Sequence, residues 1–95
     1  MFGLNVTYIL APGKRAEFLE ELARCGVQED VRKENGCLQY DLYIPLEDEN
    51  KLLLVEKWTT RAAQKIHLTQ PHMDKMRAAK ESRVTETLVE GYDLP

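Results

Sequence analysis

The stretch Lys51-Leu52-Leu53-Leu54-Val55-Glu56-Lys57-Trp58-Thr59 decides the fold. Read as a strand, its side chains alternate between two faces, so the run Leu52 to Val55 puts apolar groups on both. The acidic turn Glu47-Asp48-Glu49-Asn50 precedes it, and before that Cys37 to Ile44 reads as another strand, ended by Pro45. Nearer the N-terminus, Phe2 to Leu10 alternates cleanly. Phe2, Leu4, Val6, Tyr8 and Leu10 share one face, and Gly3, Asn5, Thr7 and Ile9 the other. Pro12-Gly13-Lys14 breaks that strand and opens a helix whose apolar stripe is Phe18, Leu19, Leu22, Ala23, Val27 and Val31, over roughly five turns. Gly26 sits inside the stripe at a modest cost, and Asn35-Gly36 supplies a stop. Beyond the central strand, Thr60 starts a short helix through Leu68. Pro71 starts another, with Met73, Met76 and Ala79 inward. Val84 to Tyr92 is the last strand.

The order β-α-β-β-α-β predicts an α+β fold of the ferredoxin-like kind, a four-stranded antiparallel sheet with its helices on one face. Two helices can cover only one face of the sheet, yet Leu52 to Val55 needs cover on both. A second copy of the same sheet, related by a two-fold axis, meets that need. The expectation is a homodimer enclosing a cavity lined by the residues that point away from the helices.

With 95 residues the chain is expected to be one domain spanning 1–95. Its 13 basic and 16 acidic residues leave a net charge of −3, interspersed along the sequence. No basic face suits nucleic acid, and the start MFGLNVTYIL is neither an export signal nor long enough to span a bilayer. Cys25 and Cys37 form no metal or redox motif, which suits a reduced, cytoplasmic protein. The expected partners are a small molecule and a second copy of the chain, with no nucleic acid and no membrane.

Several residues carry possible chemistry. His67 and His72 are the two histidines, at the end of one short helix and the start of the next. An imidazole can serve as a general base near neutral pH, or simply close a helix end. Glu56 with both histidines would resemble a facial metal triad if all three converged, which the spacing does not force, so no metal is expected. Glu56 otherwise reads as the partner of a cation. Trp58 is either core or a flat cavity wall with an N–H donor. Asn5 and Thr7 lie opposite the apolar face of the first strand, on the face assigned to the cavity, where a polar pair needs bonding partners. Arg77 sits on a helix rich in solvated cations. Tyr40 and Tyr43 take opposite faces of the second strand, so one of them can line the cavity.

Four segments together resemble one family: Pro12-Gly13-Lys14 with Glu17-Phe18; Gly36-Cys37-Leu38-Gln39-Tyr40 with Leu42-Tyr43; Val55-Glu56-Lys57-Trp58; and His67-Leu68 with Pro71-His72. In that order and spacing they resemble the antibiotic biosynthesis monooxygenase domain, whose members are dimeric α+β barrels. The resemblance implies varied chemistry, including cofactor-free oxygenation of quinol-like aromatics, haem degradation and isomerisation of a phosphorylated sugar. Trp58 and Arg77 match active-site positions of the aromatic-polyketide branch, whereas Leu54 and Gln64 stand where that branch has asparagine and tyrosine. His67 and Pro71-His72 are nearer the small bacterial quinol monooxygenases. His67 and Arg77 replace the tryptophan and the haem-binding histidine of the haem-degrading branch, so a haem iron would lack its protein ligand.

The resulting expectation is a cofactor-free monooxygenase of a small quinol or other aromatic. His67 is the base, Asn5, Trp58 and Arg77 are donors, and Thr7, Tyr40, Glu56 and His72 contact the substrate. The alternatives are a dimer that binds a small ligand without turnover, and an isomerase of a small carbonyl compound. Arg77 with Lys80 would be the only cations for a phosphate in the latter.

Overall fold

Strand β1 (Phe2–Leu10) is the spine of the molecule. The computed structural model describes all 95 residues and pairs β1 on both sides, with β3 (Lys51–Trp58) and with β4 (Val84–Asp93). Strand β2 (Cys37–Tyr43) completes the sheet against β3, giving the order β2-β3-β1-β4 with every pair antiparallel. This is the ferredoxin-like α+β arrangement expected from the element order.

Register decides which side chains meet. Val6 stands opposite Leu54 and Val89, while Thr7 stands opposite Leu53 and Leu88. On one face Phe2, Leu4, Val6, Tyr8 and Leu10 join Leu52, Leu54 and Trp58 in the buried core. On the other face Asn5, Thr7, Ile9, Leu53 and Val55 stay half-buried, because nothing in the chain packs over them. The four helices all lie on the first face. Phe18 and Leu22 come from α1 (Arg15–Cys25), Val27 and Val31 from α2 (Val27–Arg32), and Met73, Met76 and Ala79 from α4 (Met73–Lys80). Helix α3 (Arg61–His67) is capped by Thr60, whose Oγ1 accepts from the Ala63 N–H at 3.1 Å.

The long first helix expected from periodicity is two helices. Gly26 takes φ +71°, a left-handed conformation that ends α1, and its N–H bonds Leu22 O. The apolar spacing survives because the break is one residue wide, which is why the pattern read as continuous. Ala23 faces solvent instead of joining the stripe. No helix is long and apolar enough to cross a membrane.

Gly36 turns the chain from α2 into β2 at φ +89°, and a Cβ there would meet Ala63 Cβ at 2.7 Å and Thr59 Oγ1 at 2.8 Å. Gly13 has a similar φ of +77° with nothing within 4 Å. Both carry the left-handed penalty, but only Gly36 adds a clash with backbone-anchored atoms. Gly36→Ala is therefore expected to lose more stability than Gly13→Ala, by roughly 1–3 kcal/mol, in urea denaturation of the two variants side by side.

Candidate functional site

The turn that Gly36 makes possible also sets Glu34 in place. Its Oε2 contacts His67 Nδ1 and His72 Nε2, each at 2.8 Å, with the Glu34 side chain 9% exposed. One carboxylate oxygen thus joins the α2–β2 turn, the last residue of α3 and the residue before α4. A carboxylate can only accept, so each imidazole presents an N–H to it. His67 then carries its proton on Nδ1, and in the neutral ring Nε2 is left as an acceptor. Sequence reasoning missed Glu34. An acidic residue beside a turn reads as solvated, and nothing local shows that two histidines more than thirty positions later fold back onto it.

The far side of the His67 ring meets a second carboxylate. Glu56 Oε1 lies 3.9 Å from His67 Nε2, too far for a hydrogen bond, and accepts from the Trp58 indole N–H at 3.0 Å. The His67 ring lies against Trp58, ring centroids 4.7 Å apart and planes 34° apart, with Tyr40 edge-on at 5.7 Å. The polar chain therefore runs Trp58, Glu56, His67, Glu34, His72. Burial holds the Glu56 carboxyl above the usual carboxylate range. Glu34 pushes the same way, while the Trp58 N–H and His67 oppose. Tyr8 and Tyr40 are also raised by burial, so both phenols keep their protons.

A cavity of about 310 Å³ opens onto this chain between the helix-covered face of the sheet and helices α3 and α4. Glu56, His67, Tyr8 and Tyr40 give it polar edges, and Leu4, Val6, Met73, Met76 and Val89 give it apolar walls. A second hollow, of about 400 Å³, lies on the outer side of Glu34 among Asn35, Gly36, Thr59 and Thr60. Only three of its nine lining residues are hydrophobic, against eight of fourteen in the first, so the first is the better fit for a small organic ligand.

The structure brings together His67, Trp58, Glu56, Tyr40 and His72, all five within the polar chain or against its central ring. Arg77 reaches only the cavity rim, where its guanidinium donates to Asp74 Oδ1 at 2.7 Å and Leu68 O at 3.1 Å. Asn5 and Thr7 point to the opposite face, and Asn5 Oδ1 accepts there from the Tyr92 hydroxyl at 3.0 Å. They do not line the cavity, because it lies inside the sheet–helix layer and not on the open face to which the sequence reading assigned it. The metal triad imagined around Glu56 is not formed either. The histidines converge on Glu34 instead, and the ligand atoms of Glu34, His67 and His72 lie within 4.8 Å of one another. These three are the residues that could hold a divalent cation.

Residues 1–79 match the sequence profile of the family described as "Antibiotic biosynthesis monooxygenase". The Bacillus subtilis protein "Putative monooxygenase YcnE" is 44% identical over 72 residues, 76% of this chain and 74% of its own length. Among solved structures, PA3566 from Pseudomonas aeruginosa superposes with a TM-score of 0.84 at 27% identity, covering 99% of this chain and 94% of that one. The structure "Putative antibiotic biosynthesis monooxygenase from Nitrosomonas europaea" gives a TM-score of 0.86 at 21% identity, covering 98% of this chain and 97% of that one, a likeness of fold.

The buried Glu56 carboxyl yields a prediction with a definite sign. The folded chain holds this proton more tightly than the unfolded chain, whose carboxyl keeps the ordinary value of 4.5. The associated stability is present below about 4.5 and is lost as pH rises through the raised value. Glu56→Gln keeps an acceptor for Trp58 and cannot ionise. Its melting temperature relative to the unaltered protein should rise with pH above about 4.5 and level off beyond the raised value, and a difference independent of pH would contradict the assignment.

Proposed function

The chain belongs to the antibiotic biosynthesis monooxygenase family, and from that premise we propose a cofactor-free monooxygenase that oxidises a small quinol-like aromatic with O₂ as a cytoplasmic homodimer. The observation that carries the reading is His67. Glu34 fixes its tautomer from one side, and its Nε2 stands on the other, 3.9 Å from Glu56, both residues lining the cavity. The Glu34–His67 arrangement follows the logic of a base oriented by a carboxylate, which stabilises the imidazolium formed when a proton is taken.

In this mechanism a dihydroxy-aromatic enters the apolar cavity and gives one hydroxyl proton to His67 Nε2. The electron-rich anion then passes an electron to O₂, the two radicals join as a ring peroxide, and cleavage of its O–O bond leaves one oxygen on the ring as a hydroxyquinone and releases the other as water. The apolar walls keep bulk water from the reacting atoms. Two of the donors expected from sequence have other commitments, since the Trp58 N–H serves Glu56 and Asn5 lies on the open face. The phenols of Tyr8 and Tyr40, held protonated by burial, are the donors at hand for the developing oxyanion.

The homodimer is supported by the open sheet face. Leu53 and Val55 on β3 and Leu88 on β4 have no cover within the chain, and Leu88 is 47% exposed. A second sheet laid across them would remove this surface from water. A binding protein without turnover is the second reading. It is favoured by the burial of His67, 1% exposed, within a hydrogen-bonded network that would be needed for stability alone.

Oxygen uptake with a panel of freshly reduced quinols, in the presence of a chelator and against a no-protein control, tests the activity. Saturable uptake above autoxidation is expected, falling at least about a hundredfold in His67→Ala, the usual worth of a general base. Uptake at the autoxidation rate throughout would reject the oxygenase and leave the binding protein. For the dimer, sedimentation should give twice the chain mass. Leu53→Glu should give the single-chain mass with unchanged circular dichroism.

A further inference from the structure

The cavity carries a positive charge at one end that no carboxylate matches. Lys80, the last residue of α4, lines it one turn beyond Arg77. The Arg77 guanidinium is committed to Asp74 and to Leu68 O. The Lys80 ammonium has neither an ion pair nor a hydrogen bond. Its Nζ stands 5.5 Å from the centroid of the Tyr8 ring. Burial depresses its ammonium and neighbouring Arg77 depresses it further, so the side chain sits where positive charge is costly.

Glu56 pairs with Leu4, four residues along β1 from Tyr8, over whose ring Lys80 stands. Besides Tyr8, the polar and β4 lining outside the His67–Glu56 group includes Thr87 and Val89 on β4, Gln64 on α3 and Arg77 on α4 itself. None is acidic. The one carboxylate among the lining residues is Glu56, which is bonded to Trp58 beside His67. The cavity is therefore polarised, with a base and an acid at the His67–Glu56 end, apolar walls between, and an unmatched cation at the Lys80 end.

We infer that the substrate is an aromatic carrying a carboxylate, which Lys80 binds, and an ionisable hydroxyl, which is set against His67. One unmatched positive charge balances a monoanion; a dianionic phosphate would call for a second free cation, and Arg77 is occupied. This inference rests on the reading of the cavity as a substrate site but not on oxygen chemistry.

Equilibrium binding without turnover tests it, using 1-hydroxy-2-naphthoate and its uncharged amide as probes under anaerobic titration calorimetry. The acid should bind at least about tenfold more tightly than the amide. Lys80→Met should erase that preference while leaving amide affinity unchanged, and Lys80→Arg should retain it. Equal affinities in the unaltered protein, or a preference that survives Lys80→Met, would overturn the inference. So would 1-naphthyl phosphate binding more tightly than the naphthoate, which would reject the monoanion, or the failure of both naphthalenes to bind, which would remove the cavity as a site. Loss of the oxygenase reading alone, with the acid preference intact, leaves this assignment standing.

Discussion

A single oxygen atom, Oε2 of Glu34, accepts from two imidazoles, and the arrangement of the site depends on it. Helix α3 has seven residues and α4 has eight, too short to hold their positions by intrinsic helicity. Glu34 fastens the end of one and the start of the other to the turn after α2. Hydrogen bonds to a charged group contribute about 1.5–3 kcal/mol each, and removing the carboxylate would leave the buried His67 donor and the half-buried His72 donor without this partner. The same contact fixes the His67 tautomer. Position and chemistry at this point come from one interaction, so a substitution at Glu34 would alter both together.

The sheet explains why the cavity lies where it does. β1 and β3 bury every second side chain against the helices, and the cavity occupies the part of that layer where α3 and α4 leave Leu4, Val6 and Tyr8 incompletely covered. The opposite face is flat and mixed, with Asn5 and Thr7 among Ile9, Leu53 and Val55. Asn5 is bonded there by the Tyr92 hydroxyl and needs no ligand. The two faces thus have separate duties, one enclosing the cavity and the other open to a partner sheet.

Strand and helix identity were legible because alternation and three-to-four spacing report burial directly, as in β1 and in the Met73, Met76 and Ala79 stripe. Gly26 escaped notice because a one-residue left-handed break preserves the apolar period on either side. The cavity face was misassigned for a different reason. Two strand faces can be told apart from sequence, but which of them fronts an unfilled space depends on how far the short helices reach. Glu34 and Lys80 were harder still. Each is a charged residue in a segment full of charges, and its role comes from partners or their absence tens of residues away.

His67 between two carboxylates poses a question of proton direction that the geometry answers. Glu34 is bonded at 2.8 Å to the Nδ1 side, while Glu56 stands 3.9 Å from Nε2 and is favoured in its protonated form by burial. In the proposed mechanism Glu34, bonded to Nδ1, stabilises the imidazolium once a proton arrives from the cavity. The raised Glu56 carboxyl and the bridging Glu34 carboxylate are therefore complementary. Burial disfavours charge on the first, and the second would offset the charge of a protonated His67 inside a layer with little access to water.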